Sequence, residues 1–218
     1  MIKIITLKIE GFPEALHGMR NQKDSWEMSD TELNRETEAG CWIGEKDWNL
    51  ALKLAAGGSV HAKYRRMIIV WADIIAPLYW WKEFDTYRVG VEKDSCSTMH
   101  TLHKRDLTGA DFSHEHLMGT AQNVLVDTMN LINVYRRLFV KAVEDKDPAA
   151  KDYWWQMIQL LPSSFNQKRT VMMSFEALSN MWQWRNHHKL DEWRDFCRWI
   201  EKLPYSELMI GTVGDSGG

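Results

Sequence analysis

The sequence predicts an α+β fold, a β-sheet flanked by long helices. Three observations carry it. Short β-branched runs at Met1 to Ile9, Met67 to Ile75 and Thr170 to Phe175 read as strands. Longer stretches with apolar residues near helical spacing lie between and after them, the longest from Leu117 to Val143. No repeat, low-complexity block or linker divides the 218 residues, so a single domain is expected over residues 1–210, with a flexible tail at 211–218.

In chain order, Gly11-Phe12-Pro13 turns the chain out of the first strand. Pro13 to Arg20 reads as a short helix with proline in its first turn. Asn21 to Ile43 is polar and irregular, with room for short helices. Glu45 to Ala56 carries Trp48, Leu50, Leu52 and Leu54 and stops at Gly57-Gly58, a helix with a C-terminal glycine stop. Ser59 to Arg66 is a polar connection into Met67 to Ile75, whose β-branched density says buried strand although its length also permits a helix. Ala76-Pro77 breaks that strand and opens a helix over Leu78 to Phe84. Asp85 to Met99 is expected to be a loop of functional size, and His100 to Phe112 to stay irregular.

The long helix then places Leu125, Met129, Ile132, Tyr135, Leu138 and Phe139 near one stripe. Asp145-Lys146-Asp147-Pro148 turns into a helix over Ala149 to Leu160, which Pro162 follows. The third strand leads into a helix opened by Ser174 or Phe175 that carries Leu178, Met181, Trp182 and Trp184. A last helix starts near Asp191 with Trp193, Phe196, Cys197 and Ile200. Arg185 stands out, because it follows a run of large apolar residues where an unpaired charge is expensive. Either it snorkels to water or it is held to meet an anion or polar ligand.

Composition bounds the function. The chain is 44% hydrophobic and 26% charged, which excludes disorder, and a formal net charge of -3 argues against a dedicated nucleic-acid binder. Nothing approaches the ~18 apolar residues of a membrane span: Asp73 and Pro77 interrupt the nearest run, Met67 to Trp81. MIKIITLKIE lacks a signal peptide's apolar run and cleavage site. Three dispersed cysteines, Cys41, Cys96 and Cys197, set no disulfide framework and fit a reducing cytoplasm. Twelve tryptophans point to filled core and subunit interfaces, or to stacking faces for a planar ligand.

Several constellations bear chemistry. Cys96, His100 and His103 share a face if that segment is helical, with His114 and His116 nearby, but the spacing matches no strong zinc signature. Those histidines, and His187-His188, read as scattered surface residues. Cys96, three positions after Lys93, is a candidate thiolate without an assignable base. The Ser95-Cys96-Ser97-Thr98 run is either a plain turn or a backbone nest for phosphate, with Arg88 and Lys93 supplying charge. Lys168 and Arg169 alone read as a solvated pair.

Two of these regions resemble the flavin-dependent thymidylate synthases, the complementing type. Ala76-Pro77-Leu78-Tyr79 through Met99 lies where that family has an Ala-Pro-led helix running into Arg-His-Arg-x-x-Ser-x-Asn-Glu-x-Ser-x-Arg. Leu161 to Trp193 lies where it has a Leu-Pro turn, a strand, an Asn-containing helix, and an Arg followed by another helix. The turn at His61 is similar, more weakly, to the family's His-containing flavin turn. The signature is altered here: Thr86-Tyr87-Arg88 replaces Arg-His-Arg, Val91 the first Ser, Lys93-Asp94 the Asn-Glu, Cys96 the second Ser and Thr98 the final Arg.

The resemblance implies an enzyme using FAD, with NADPH and methylenetetrahydrofolate as co-substrates, that transfers a one-carbon unit to C5 of dUMP. It assigns the nucleotide to Glu83, Ser95, Cys96, Ser97, Lys168 and Arg185, with Arg185 activating the uracil ring. It assigns flavin to His61, Arg88, Asp94, Ser174, Asn180 and Lys189. It also implies a cytoplasmic homotetramer with sites between subunits. Two alternatives stand beside it: a paralogue modifying another pyrimidine nucleotide, for example by hydroxymethylation, and a non-catalytic nucleotide-binding protein on the same scaffold.

Overall fold

A computed structural model describes residues 2–211. The fold is α+β. Strands β1 (Lys3–Glu10), β4 (Ile69–Pro77), β6 (Asn166–Ser174) and β5 (Val91–Ser95) form one sheet in the order β1-β4-β6-β5. A two-residue ribbon pairs β2 (Glu32–Leu33) with β3 (Cys41–Trp42) antiparallel. The helices are α1 (Phe12–Met19), α2 (Glu45–Ala56), α3 (Leu78–Phe84), α4 (Thr98–Thr101), α5 (Thr120–Glu144), α6 (Ala150–Leu160), α7 (Phe175–Arg185), α8 (Asp191–Ile200) and α9 (Glu207–Ile210). The expected tail lies, from residue 212 on, outside the described residues.

The chain groups into two compact units. One comprises Met1–Lys3, Ile75–Asp85 and Ser95–Arg169; the other comprises Ile4–Ile74, Thr86–Asp94 and Thr170–Gly218. In the first unit, α5 and α6 pack as a helical pair. Ile132 and Met157 are buried there with Leu102, Leu107 and Phe112, and Leu125, Met129, Tyr135 and Phe139 pack against them. Leu138 departs from the expected stripe and is 38% exposed. Buried Asn133 is satisfied by Leu107: its Oδ1 accepts from the Leu107 N–H (2.7 Å) and its Nδ2 donates to the Leu107 carbonyl (2.9 Å). The first N–H groups of α3 have no partner within the helix. Those of Leu78 and Tyr79 donate to the carbonyls of Phe165 and Ser163, both at 3.0 Å.

In the second unit, Phe12 meets Phe175 edge to face at 5.2 Å. On α8, Trp193, Phe196, Cys197 and Ile200 are all buried, as their 0, 3, 4, 7 spacing dictates. Each large apolar side chain so buried contributes about 1.5–3 kcal/mol. Asp47, fully buried, accepts from Arg20 Nε (2.5 Å), Ser29 Oγ and Thr31 Oγ1 (both 2.6 Å). Burial pushes its pKa up, but the hydrogen bonds from Ser29, Thr31 and Arg20 outweigh this and hold it below the usual carboxylate range.

Two expectations need correction. Asp85 to Met99 is not all loop, because Val91–Ser95 forms β5. This is an edge strand in which only Val91 is buried, so it has no alternating apolar signal to read. The stretch from His100 likewise begins inside a single helical turn, α4. Elsewhere the boundaries fall close to those expected: α2 and α3 match residue for residue, and β6 starts four residues earlier, at Asn166. Among the described residues no helix is long and apolar enough to cross a membrane.

Candidate active site

Two arrangements gather the predicted residues, one in each unit. The first is built around Arg185 at the end of α7. Ser174 starts that helix as its N-cap: its Oγ accepts from the Ala177 N–H (3.2 Å), and its own N–H donates to the Gly90 carbonyl (2.8 Å). Gly90 has φ +70°, and a Cβ there would sit 2.4 Å from Ser174 Oγ, so only glycine lets this turn approach the cap. Leu178 and Met181 bury the inner face of α7, while Trp184, in its last turn, is 73% exposed.

Arg185 is half-buried and neither wholly solvated nor loose. Its Nε donates to the Tyr87 hydroxyl (3.0 Å). Its guanidinium carbon lies 4.8 Å from the Trp193 ring centroid and 5.7 Å from that of Tyr87. Tyr87 and Trp193 themselves meet edge to face at 5.9 Å. A planar cation against two aromatic faces gains electrostatic attraction while losing little freedom. Arg185 is thus seated on Tyr87 and Trp193 and does not simply extend to water. Nearby Cys197 is pushed up to about 12, first by burial and then by the Glu201 charge, with Arg185 pulling the other way. That thiol is inert at neutral pH.

The second arrangement is a cleft of about 600 Å³ whose lining includes Cys96, Thr98, Lys104, Arg105, Asp111 and Lys168. This volume suits a small-molecule ligand. The Cys96 N–H donates to the Lys168 carbonyl (2.9 Å), and Gln167 Nε2 donates to the Cys96 carbonyl (2.9 Å) and to Thr98 Oγ1 (3.3 Å). Backbone pairing across the start of β6 thus holds the Cys96 segment, and the Cys96 N–H is not available to a phosphate nest. Lys104, Arg105 and Lys168 line the cleft with a single carboxylate, Asp111, on which Arg105 makes a two-pronged pair. That guanidinium, against the effect of burial, holds Asp111 below the usual carboxylate range. The surplus of positive charge beside the apolar wall of Ile75, Leu107 and Phe165 suits an anionic ligand with an apolar part.

Of the predicted residues, Cys96 and Lys168 share the cleft, and the rest are dispersed. Lys168, Ser95 and Cys96 are exposed and Ser97 and Glu83 half-buried in the first unit. In the second, His61, Arg88, Asp94, Asn180 and Lys189 are exposed, on the turn after α2, on the loop before β5, on β5, on mid-α7 and before α8. Ser174 is buried at 3% exposure as the α7 cap. Arg169 is not the solvated residue expected: it lies over Trp81 at 4.3 Å and pairs with Asp85 at 2.8 Å. Among the described residues no group of His, Cys, Asp or Glu is arranged to hold a metal.

Sequence reasoning missed Tyr87 and Trp193 as the seat of Arg185, and Lys104, Arg105, Thr101 and Gln167 as cleft lining. The position of Tyr87, where the family signature has its His, was the available signal. Trp193 carried none beyond its helical spacing.

No family model and no curated protein matches the chain. Solved structures do. Thymidylate synthase X from Helicobacter pylori with FAD and dUMP is similar over 95% of this chain and 96% of that one, at TM-score 0.66 and 16% sequence identity. A second structure of the H. pylori flavin-dependent thymidylate synthase, complexed with FAD and dUMP, covers 94% and 96% at TM-score 0.65 and 16% identity. At that identity the likeness is one of fold, and it extends over nearly the whole of both chains.

Proposed function

We propose that this chain is a flavin-dependent thymidylate-synthase-like enzyme, adding a one-carbon unit reductively to C5 of dUMP to give dTMP. The observation that carries the reading is the fold likeness, at nearly full coverage of both chains, to proteins whose structures hold FAD and dUMP. In this reading Arg185, seated on Tyr87 and Trp193, faces the uracil edge and stabilises negative charge developing on the ring. Lys168, with Lys104 and Arg105, holds the nucleotide phosphate in the cleft, and Cys96, Ser95, Ser97 and Glu83 complete the nucleotide contacts.

The residues present fit flavin by donor type. Arg88 and Lys189 are exposed cations for a diphosphate, and His61, Asn180 and Asp94 are exposed hydrogen-bonding groups. Ser174 contributes through the start of α7. When bound, FAD supplies the hydride, drawn from NADPH, while methylenetetrahydrofolate supplies the carbon. A cytoplasmic homotetramer belongs to the same reading, and the exposed Val124, Leu131 and Val134 of α5 support it as apolar surface suited to a subunit interface.

Purified protein with flavin absorption bands that releases tritium from C5-labelled dUMP bears the proposal out. Colourless protein that takes up no FAD and releases no tritium ends it. A second reading rests on a specific difference: Thr86, Tyr87 and Thr98 stand where the family signature has Arg, His and Arg, while Lys104 and Arg105 line the cleft. This favours a paralogue using another pyrimidine nucleotide. A thermal-shift screen of nucleotides with a clear preference other than dUMP selects it.

A further inference from the structure

The second unit holds a separate cleft of about 430 Å³, and none of its lining belongs to the site above. Leu52, Ala55 and Ala56 of α2 and Met209 of α9 form its apolar wall, and Arg65 and Glu207 are its charges. Arg65 sits in a single 3-10 turn over Lys63–Arg66. Its Nη1 donates to Ser179 Oγ (3.3 Å), and that hydroxyl donates to the Met209 carbonyl (2.7 Å), so a neutral relay anchors the guanidinium to the wall. Its Nε is sealed from solvent with no acceptor among the described residues. The neighbouring Tyr64 phenol donates to the Ala51 carbonyl (2.9 Å).

Most arginines of this chain are ion-paired among the described residues. Arg20, Arg66, Arg105, Arg136, Arg169, Arg194 and Arg198 each meet a carboxylate. Among the described residues Arg65 and Glu207 form no ion pair, with each other or with any third group, although both line one cleft. A half-buried guanidinium without a counter-charge is costly, and so is a half-buried carboxylate without one. A ligand carrying both opposite charges relieves the two together. A phosphate dianion would be drawn to Arg65 and repelled by Glu207. The apolar wall asks for an apolar body on the same ligand.

We infer that this cleft binds a small zwitterion with an apolar side chain, an apolar α-amino acid, with its carboxylate on Arg65 and its ammonium on Glu207. The inference is independent of the thymidylate-synthase reading.

The test is calorimetric titration of the full chain with L-leucine, L-leucinamide and 4-methylpentanoate, repeated on Arg65→Gln and Glu207→Gln. Saturable leucine binding is expected. It should weaken by roughly tenfold or more when the ligand lacks its carboxylate or ammonium, and equally when either side chain is neutralised. Absence of saturable leucine binding, equal binding of either analogue, or unchanged leucine affinity in a folded variant overturns the proposal. Should Arg65→Gln fail to fold, the two analogues on the unaltered chain still decide it.

Discussion

The Arg185 region and the Lys168 cleft make opposite use of their charges. Arg185 stands on packed aromatic rings, with one N–H fixed on a phenol and its helix capped from a glycine turn. The cleft is framed by backbone pairing and carries its cations close to solvent, with Arg105 63% exposed in its side chain. A held charge has little reorganisation to pay for when charge develops in a reaction, whereas exposed charges attract and retain an anion. The difference teaches that the two regions should fail differently, the first in turnover and the second in affinity.

The largest expected effect falls on the frame of the Arg185 unit. Asp47→Asn leaves buried Arg20 without its counter-charge and should cost about 3–5 kcal/mol in urea denaturation. The pH dependence has a definite sign. The Asp47 pKa is depressed in the folded state, so its stabilisation is present above the unfolded value of about 3.9 and is lost as pH falls through the lower folded value. The stability gap between the unaltered chain and Asp47→Asn should therefore narrow only in acid below about pH 4. A gap that is constant down to pH 2 would assign the loss to packing.

Next comes Arg185→Ala. It should lower tritium release from C5-labelled dUMP by roughly 10²–10³-fold, about 2.7–4 kcal/mol, with FAD uptake retained. Unchanged FAD binding, nucleotide binding and turnover would make Arg185 structural and erase the contrast. Lys168→Ala should act on the other side, raising the nucleotide KM by an amount worth about 1.5–3 kcal/mol with kcat nearly kept. A loss confined to kcat would show that the cleft is not where the phosphate is held. The smallest effect is expected from Tyr87→Phe, which removes one hydrogen bond to Arg185 and keeps the ring: about 1 kcal/mol, read in kcat rather than KM.

How legible each region was follows from its chemistry. Residues 161–200 announced themselves, because a Leu-Pro break, a β-branched run and a 3–4 apolar spacing are local signals that burial then rewards. Leu178, Met181, Trp193, Phe196 and Ile200 are all buried. Arg185 was conspicuous for the same reason, as a charge among apolar neighbours. Val91–Ser95 was illegible, because an edge strand made of Glu92, Lys93, Asp94 and Ser95 owes its form to backbone pairing with little burial behind it. Ser174 was assigned by resemblance to flavin, and its observed bond is the cap of α7.

The sequence alone determined the α+β class, nearly every helix, three of the four strands of the main sheet and the singularity of Arg185. These depend on periodicity, caps and breakers within a few residues of one another. Only the tertiary structure decided that Tyr87 and Trp193 seat Arg185, that Lys104, Arg105 and Lys168 share one cleft, that Arg169 is tied to Trp81 and Asp85, and that Arg65 and Glu207 line a cleft without pairing. Each joins residues dozens of positions apart, and neighbours brought together by folding leave no period in the chain for a reader to find.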